Sequence, residues 1–370
     1  SLLLLLLMLA LPVMGEEEVS LFSPGGNAPA QAETLPALEP SQGCAPGEPW
    51  AVGGQQAPSC QLQKMKVHAS TRSRRQLGSR LYDGAPASRR MPPLQRDRSR
   101  RQSRPMKSIR LRDGKERSLL RGHPWVFQGS VDKGKADPGE TVRVESATGQ
   151  FLAWASFSPS SMIRVRAWSF DEAERIDADF FAGRIRAAVA LRQRLGIASN
   201  GVRLIHGEAD GLPGLIVDRY EDILSVQFLS AGTDRWKATI ADALLAETAA
   251  LGCTRLYERS DSGVRQLEGL EPAKGWLRGE GSTTITLYEH DIRLTVDVEE
   301  GHKTGYYLDQ RENRALFARL VRLLGCKIVL NCYSYTGGFS IAALAGGATE
   351  VISVDSSGPA LARANAHVEL

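Results

Sequence analysis

Apolar and polar positions alternate in the first patterned part of the chain, which covers residues 106–172. In the stretch SMIRVRAW, Ile163, Val165 and Ala167 alternate with two arginines, which is typical of a strand with one buried face. Other short runs of this kind are separated by Gly, Pro and Asp, and ESATGQFL predicts a hairpin turn at Thr148 and Gly149. We therefore predict a small β-barrel for this segment.

The second patterned part, residues 173–280, mixes helical and strand periods. The stretch ADFFAGRIRAAVALRQRLG shows the i, i+3/i+4 spacing of an amphipathic helix, which Gly196 can end. Its predicted inner face is Phe181, Ile185, Ala188 and Leu191 or Arg192. Two strands joined at Glu221 and Asp222, another helix and a further strand pair follow. This order predicts an α+β middle domain.

The third patterned part, residues 281–370, begins with a hairpin in TTITLYEHDIRLTVDV and continues into a helix. We predict that Asp309 caps this helix with Glu312 as its capping-box partner, that Gly325 ends it, and that the residues facing inward are Leu316, Leu320, Val321 and Leu324. The strand KIVLN, the turn CYSYTGGF, the helix SIAALAGG and the strand EVISVD follow. A strand, a Gly turn, a helix and a second strand ending in an acid are typical of the first half of a nucleotide-binding doubly wound sheet.

The glycine turn and the acid at the end of the second strand, Asp355, form a candidate cofactor site. Gly337 and Gly338 let the backbone approach a ligand, and Asp355 can accept hydrogen bonds from both hydroxyls of a ribose. The turn lacks the G-x-G-x-x-G pattern that cradles a pyrophosphate, which favours S-adenosylmethionine over NAD. A tight turn without a ligand and a solvated strand end remain the structural alternative.

Residues 1–105 form a leader without a helix or strand period, and we predict that it is disordered. Its first 15 residues are apolar but too few to span a bilayer, which takes about 20. The leader is interpreted either as a targeting signal with a basic RNA-binding arm or as a misassigned start, with translation beginning near Met106. We favour the second interpretation, because regular patterning begins at that point.

The charge is distributed unevenly, so that the overall value of +4 says little about the folded part. Residues 64–117 hold 18 Lys and Arg against four Asp and Glu, whereas residues 118–370 hold 28 against 32. A basic cluster at residues 107–125 crosses the boundary between these two segments. Its cations can neutralise RNA phosphates, and its aromatic can stack on a base. The cluster comprises Lys107, Arg110, Arg112, Lys115, Arg117, Arg121 and Trp125. The alternative is a solvated edge strand with Trp125 in the core.

The five cysteines are odd in number and irregularly spaced, which indicates neither a disulfide framework nor CxxC metal pairs. A reducing, cytoplasmic location fits this pattern best, and we expect neither a metal site nor a membrane span.

Four stretches together resemble the bacterial PUA-containing class I S-adenosylmethionine-dependent methyltransferases that make 5-methylcytosine in 23S ribosomal RNA. They are KERSLLRGHPWVFQGSV, GEADGLPGLIVDRY, GHKTGYYLDQR, and VLNCYSYTGGFSIAAL with VISVDSS. The resemblance implies an α/β fold class with a PUA-like RNA-binding barrel, an α+β middle domain and a Rossmann-like methyltransferase sheet. It also implies ribosomal RNA, or its precursor particle, as the partner and a contact with RNA for the basic cluster.

By motif match, the resemblance assigns S-adenosylmethionine to Asn331, Tyr335, Thr336, Gly337, Gly338, Phe339 and Asp355, with Gln310 and Arg311 beside that pocket. In such enzymes a Cys thiolate attacks carbon 6 of the cytosine, and carbon 5 receives the methyl group. The family carries that Cys on later strands, so we expect it beyond Leu370 and interpret the chain as truncated inside its catalytic domain. A non-catalytic RNA-binding protein and an NAD-dependent oxidoreductase remain the competing functions.

Overall fold

The computed structural model describes residues 51–52, 55–56, 61–66 and 106–370. The chain divides into a larger unit, residues 68–309, and a smaller unit that joins residues 310–370 to part of the leader. The described leader residues form β1 (Ala51–Val52), β2 (Gln55–Gln56) and β3 (Gln61–Lys66). The apolar run at 1–15 and the Arg-rich run lie outside the described residues. The predicted disorder is wrong for β3. This strand pairs antiparallel with residues 350–355, an edge strand whose backbone groups are open to pairing.

The larger unit begins with a curled six-stranded sheet. Its elements are β4 (Ser108–Leu111), α1 (Arg117–Leu120), β5 (Trp125–Phe127), β6 (Val131–Lys133), β7 (Thr141–Glu145), β8 (Phe151–Phe157) and β9 (Ile163–Ser169). The strand order is β5-β9-β8-β7-β4-β6. Because β5 and β6 stand at the two ends of this order and only the turn Gln128–Ser130 joins them, the sheet must curl round on itself. This is the barrel that the alternating pattern predicted.

The interior of the barrel is built from apolar residues that occupy every second position of its strands and therefore lie on one face. Val165 and Ala167 of β9 are buried, together with Ile109, Leu111 and Val144. The hairpin between β7 and β8 turns at Thr148 and Gly149, as predicted, and Gly149 has a φ of 88° there. A positive φ is cheap only for glycine, which explains its place in this turn.

The α+β middle domain follows directly in the same unit. It consists of α2 (Ala178–Arg194), β10 (Gly201–His206), β11 (Leu215–Tyr220), β12 (Ile223–Phe228), α3 (Ala231–Arg235), α4 (Lys237–Thr248), β13 (Arg255–Ser260), α5 (Val264–Leu267) and β14 (Ala273–Arg278). The strands lie in sequence order, and all neighbours are antiparallel except β12 and β13. Phe181, Ile185 and Ala188 of α2 are buried against one face of this sheet, as their spacing predicted.

Contacts between the barrel and the middle domain are close. Gly139 of the barrel lies so near the backbone of Ala231 that a Cβ would stand 2.1 Å from its carbonyl oxygen. The buried guanidinium of Arg166 pairs with the buried carboxylate of Glu268 at 2.7 Å. A charge pair out of water is costly to break, because the remaining charge is left without a partner. These contacts fix the barrel to the middle domain.

The hairpin β15 (Thr284–Glu289) and β16 (Ile292–Asp297) completes the larger unit. The sequence analysis placed this hairpin in the third segment, from residue 281 onward. In the structure this hairpin belongs to the larger unit, and Asn200 donates to the carbonyl of Thr286 and accepts from the amide of Tyr288. The bounds of the domains stay a prediction.

The described elements of the smaller unit are β1, β2, β3, α6 (Arg311–Leu324), β17 (Ile328–Cys332), α7 (Gly338–Ala345), β18 (Glu350–Asp355) and α8 (Gly358–Val368). The sheet order is β17-β18-β3, with β17 and β18 parallel. The strand, turn, helix and strand predicted from the motif are therefore present in that order. No helix in the described part of the chain has both the length and the apolar character to cross a membrane.

Two predictions about α6 are wrong. Of the residues predicted to face inward, Val321 is buried, but Leu320 and Leu324 are 38% and 63% exposed. The buried row is Arg314, Phe317 and Val321. This row faces α7, where it meets Phe339 and Gly346, so packing against α7 decides which face is buried. The helix begins at Arg311 with Gln310 as its N-cap and no side-chain cap bond, while the carboxylate of Asp309 accepts from Lys303.

Candidate functional site

In the described part of the smaller unit, the turn after β17 carries the non-glycine residues that have a positive φ. Tyr333 and Tyr335 have φ values of 55° and 49°, and Gly337 has a φ of 75°. Left-handed conformations of bulky residues are uncommon and persist only where the surroundings enforce them. The amide of Gly337 donates to the carbonyl of Ser334, which closes the turn directly before α7. The strand end and the start of the helix are thereby brought within one tight loop.

Asp355 is bonded to that turn. Its Oδ2 accepts from the amide of Tyr335 at 2.7 Å, and its Oδ1 accepts from the amide of Ser357 at 2.9 Å. An ionised carboxylate offers about four acceptor positions, so each oxygen can still accept another hydrogen bond. The predicted acid and the predicted Gly turn thus form one hydrogen-bonded unit at the carboxyl ends of two parallel strands.

The other residues that we predict to bind the cofactor lie around the same loop, and most of them contact other groups of the protein. Asn331 donates to the hydroxyl of Ser340, which in turn lies 2.7 Å from that of Ser353. The carbonyl of Thr336 accepts from Nδ1 of His367, since a carbonyl oxygen can only accept. The ring of Phe339 meets the edge of Phe317. These contacts attach the loop to α7, α8 and α6.

Gln310 and Arg311 lie at the start of α6. The side-chain oxygen of Gln310 accepts from Asn313, and Arg311 donates to Glu312. Their predicted position beside the cofactor pocket stays a prediction.

The predicted basic cluster is only partly available for binding. Lys107 donates to Glu140 at 2.8 Å, and this bond raises the pKa of the lysine above its ordinary value. Arg110 lies 3.7 Å from the carboxylate of Glu145. Arg112, Lys115, Arg117 and Arg121 are exposed. The exposed members are therefore the ones that can reach an anionic partner.

Trp125 has a partner inside the protein. Its indole nitrogen donates to the carboxylate of Glu208 at 2.8 Å, and its ring meets the edges of His123 and Phe127. The side chain is half-buried in this position. These contacts favour the structural alternative for Trp125, namely a packing residue that joins the barrel to the middle domain, over a stacking platform for a base.

A basic groove that the sequence analysis did not identify lies on the barrel. It has a volume of about 640 Å³, and three cations but no acid line it: Arg112, Lys135 and Arg164. The guanidinium of Arg164 donates to the carbonyl of Ser158 and lies 5.9 Å from the centre of the Phe157 ring. Lys135 and Arg164 are far apart in sequence from the predicted cluster, so only the curled sheet brings them to Arg112.

Groups of three or more His, Cys, Asp or Glu able to hold a metal ion are absent from the residues that the structure describes.

Two family models match the chain. Residues 109–170 match a PUA-like domain, and residues 264–370 match an S-adenosylmethionine-dependent methyltransferase. The chain is 48% identical over 265 residues to "Ribosomal RNA large subunit methyltransferase I" of Erwinia tasmaniensis and 46% identical over 265 residues to the protein of that name in Escherichia coli. Each alignment covers 70% of this chain, which spans 65% of the length of these relatives.

Solved structures support the same fold. A putative methyltransferase from Streptococcus mutans has a TM-score of 0.60 at 23% identity, over 71% of this chain and 67% of its own. A second, solved in complex with SAH, has a TM-score of 0.60 at 22% identity, over 71% of this chain and 66% of its own. These matches confirm the predicted fold class, a PUA-like barrel and a Rossmann-like segment, and residues 264–370 are similar to S-adenosylmethionine-dependent methyltransferases.

Proposed function

We propose that this protein is an S-adenosylmethionine-dependent methyltransferase that acts on carbon 5 of a cytosine in 23S ribosomal RNA, in the cytoplasm. One observation carries the cofactor assignment: the carboxylate of Asp355 is bonded to the amide of Tyr335 within the glycine turn. An acid and a Gly turn that are held together at the ends of parallel strands suit a nucleoside ligand.

The residues of the turn fit the cofactor by chemistry as well as by position. Asp355 keeps acceptor capacity on both oxygens, which suits the two hydroxyls of a ribose. Gly337 and Gly338 add no side chain between the backbone and a ligand. When bound, S-adenosylmethionine supplies an activated methyl group, and the turn orients it. Asn331, Thr336 and Phe339 keep the loop rigid through their contacts with α7, α8 and α6.

The described cysteines do not make a convincing nucleophile. Cys253 and Cys326 are buried, and burial raises the pKa of the Cys253 thiol, which is the reverse of what a reactive thiolate needs. Cys332 is half-buried at the end of β17. We therefore assign no nucleophilic role to these three cysteines, and we assign the binding of cofactor and RNA to the glycine turn and the barrel.

The barrel supplies the surface for RNA. Three cations without an acid among the lining residues attract phosphates, and such contacts dominate the affinity for nucleic acids. Arg112 belongs both to this groove and to the exposed part of the predicted basic cluster. The groove is therefore the best-supported contact with the ribose-phosphate backbone.

Calorimetric titration of S-adenosylhomocysteine into the full chain tests the cofactor site. We expect binding by the unmodified protein and a loss of at least about tenfold in Asp355→Ala, because charge-assisted hydrogen bonds contribute about 1.5–3 kcal/mol each. Asp113→Ala removes an exposed acid on the barrel and serves as the matched control. Circular dichroism verifies that the variants are folded. Equal binding by Asp355→Ala and the unmodified protein would refute the site.

A non-catalytic RNA-binding protein is the second candidate, and the basic groove is the observation in its favour. It predicts salt-sensitive binding of ribosomal RNA fragments that Lys135→Ala and Arg164→Ala weaken, without any binding of S-adenosylhomocysteine. Titration with NADH in the same cell tests the remaining oxidoreductase alternative.

A further inference from the structure

One face of the middle-domain sheet is polar and carries a pocket. Arg203, Asp218, Ile216, Ser225 and Gln227 share this face, since opposed residues of antiparallel strands and every second residue along a strand lie on the same side. The apolar residues between them, such as Val217 and Val226, belong to the core with α2 and α4. Helices therefore cover one face of the sheet.

The loop that follows β16 covers part of the polar face. Thr304 donates to the fully buried carboxylate of Asp218, and the hydroxyl of Ser225 donates to the carbonyl of Thr304 at 2.7 Å. The amide of Tyr306 donates to the hydroxyl of Tyr220 at 2.9 Å. These bonds fix the loop to the sheet. The loop belongs to the GHKTGYYLDQR motif, of which the cofactor assignment uses only Gln310 and Arg311.

The uncovered part of the same face is a pocket of about 460 Å³, a size typical of small-molecule sites. It is lined by Arg203, Ile216, Gln227, Asp261, Ser262 and Lys303. Lys303 has a φ of 58°, an uncommon conformation for a lysine, and its neighbour Thr304 is held by the buried network. Lys303 therefore lies at this pocket in an uncommon backbone conformation, next to a residue that the buried network holds in place.

The charges of the pocket balance. Arg203 is paired with Asp218 at 2.9 Å, and Lys303 with Asp309 at 2.8 Å. Asp261 faces Arg259 at 3.4 Å. A site of this kind attracts a bare phosphate less than the basic groove on the barrel does. It offers donors and acceptors side by side, which suits the edge of a nucleobase.

We propose that this pocket binds one unpaired nucleotide of the substrate RNA, with a base that carries an exocyclic amino group. The carboxylate of Asp261 accepts from the exocyclic amino group of the base. One N–H of the Gln227 amide donates to the carbonyl of Arg259 at 3.1 Å, and the other donates to the base edge, in the way that acids and amides recognise cytosine and adenine. Lys303 and Arg203 face the phosphate and the ribose, and Ile216 gives the ring an apolar contact. The proposal rests on the proposed function, and it adds a site that distinguishes one RNA sequence from another.

The pocket is tested by measuring the binding of CMP, AMP and UMP to the full chain with saturation-transfer NMR. We expect CMP or AMP to bind at least about tenfold more tightly than UMP, and Asp261→Asn to reduce this preference to about twofold or less. Asp261 has a side chain that is 38% exposed and a long ion pair, so the variant should fold normally. Asp291→Asn, at an exposed hairpin turn, is the matched control.

Gln227→Met provides a second variant, because it keeps the length of the side chain and removes the amide. It should also reduce the preference for CMP or AMP. Equal binding of the three nucleotides, or an unchanged preference in both variants, would overturn the proposal. Titration of S-adenosylhomocysteine into the same samples separates the two hypotheses: cofactor binding without nucleotide binding removes only the pocket, and nucleotide binding without cofactor binding removes only the methyltransferase assignment.

Discussion

Replacing Asp218 with alanine is expected to lower the free energy of unfolding of the larger unit by about 3 kcal/mol. The carboxylate is fully buried and accepts from Nε and Nη2 of Arg203, each at 2.9 Å, as well as from the hydroxyl of Thr304. Removing one partner of a buried ion pair costs about 3–5 kcal/mol, since the other charge remains without compensation. The hydrogen bond to Asp218 also raises the pKa of Arg203, and the guanidinium therefore stays charged.

The lower end of that range follows from the exposure of Arg203. Its side chain is 32% exposed, so water can replace part of the lost pairing. Asp218→Asn keeps the shape and one acceptor oxygen, and we expect it to lose about half as much. Thr304→Val removes a single hydroxyl donor and should cost about 1 kcal/mol.

Urea denaturation followed by tryptophan fluorescence measures these changes. All five tryptophans in the described part of the chain belong to the larger unit: Trp125, Trp154, Trp168, Trp236 and Trp276. The signal therefore reports mainly on that unit. Asp132→Ala, an exposed acid on the barrel, is the control and should change the free energy of unfolding by less than about 0.5 kcal/mol. A loss below about 1 kcal/mol in Asp218→Ala would show that the buried network does not hold the loop.

Three further predictions concern the same unit. In urea denaturation, Gly139→Ala should lower the free energy of unfolding by about 1 kcal/mol more than Gly149→Ala does. Both glycines have a positive φ, but only a Cβ at Gly139 would stand 2.1 Å from a backbone oxygen, that of Ala231. Equal losses in the two variants would contradict this. Trp125→Phe should lower the free energy of unfolding by about 1–2 kcal/mol and leave the binding of RNA fragments unchanged, because it removes an internal hydrogen bond; weaker RNA binding at unchanged stability would restore the stacking role. Hydrogen bonds from Arg255 lower the pKa of Asp222, so this carboxylate stabilises the fold above pH of about 4 and the effect is lost as the pH falls through the lowered pKa. Asp222→Asn should flatten that part of the pH profile, and an unchanged acid limb would count against the pairing.

Local sequence determined the elements and most turns. Alternation identified the strand with Val165 and Ala167 inward, and the strands on either side of Glu221 and Asp222 were placed correctly. The sequence also predicted the strand, the glycine turn and the acidic strand end, because all three lie within 30 residues and their spacing follows from the geometry of one strand-helix-strand unit. Short-range periodicity fixes such features without knowledge of the rest of the chain.

Tertiary structure decided which partner each polar side chain meets. The indole of Trp125 bonds to Glu208, 83 residues away, and Asp218 meets Thr304, 86 residues away. Asp309 suits a helix cap by sequence, but it accepts from Lys303 because the loop fixed by Thr304 brings that lysine to it. Periodicity determines which face of an element a residue occupies, whereas the group opposite that face depends on how distant segments pack. For this reason the candidate cofactor turn could be predicted from the sequence, and both the basic groove and the nucleotide pocket required the fold.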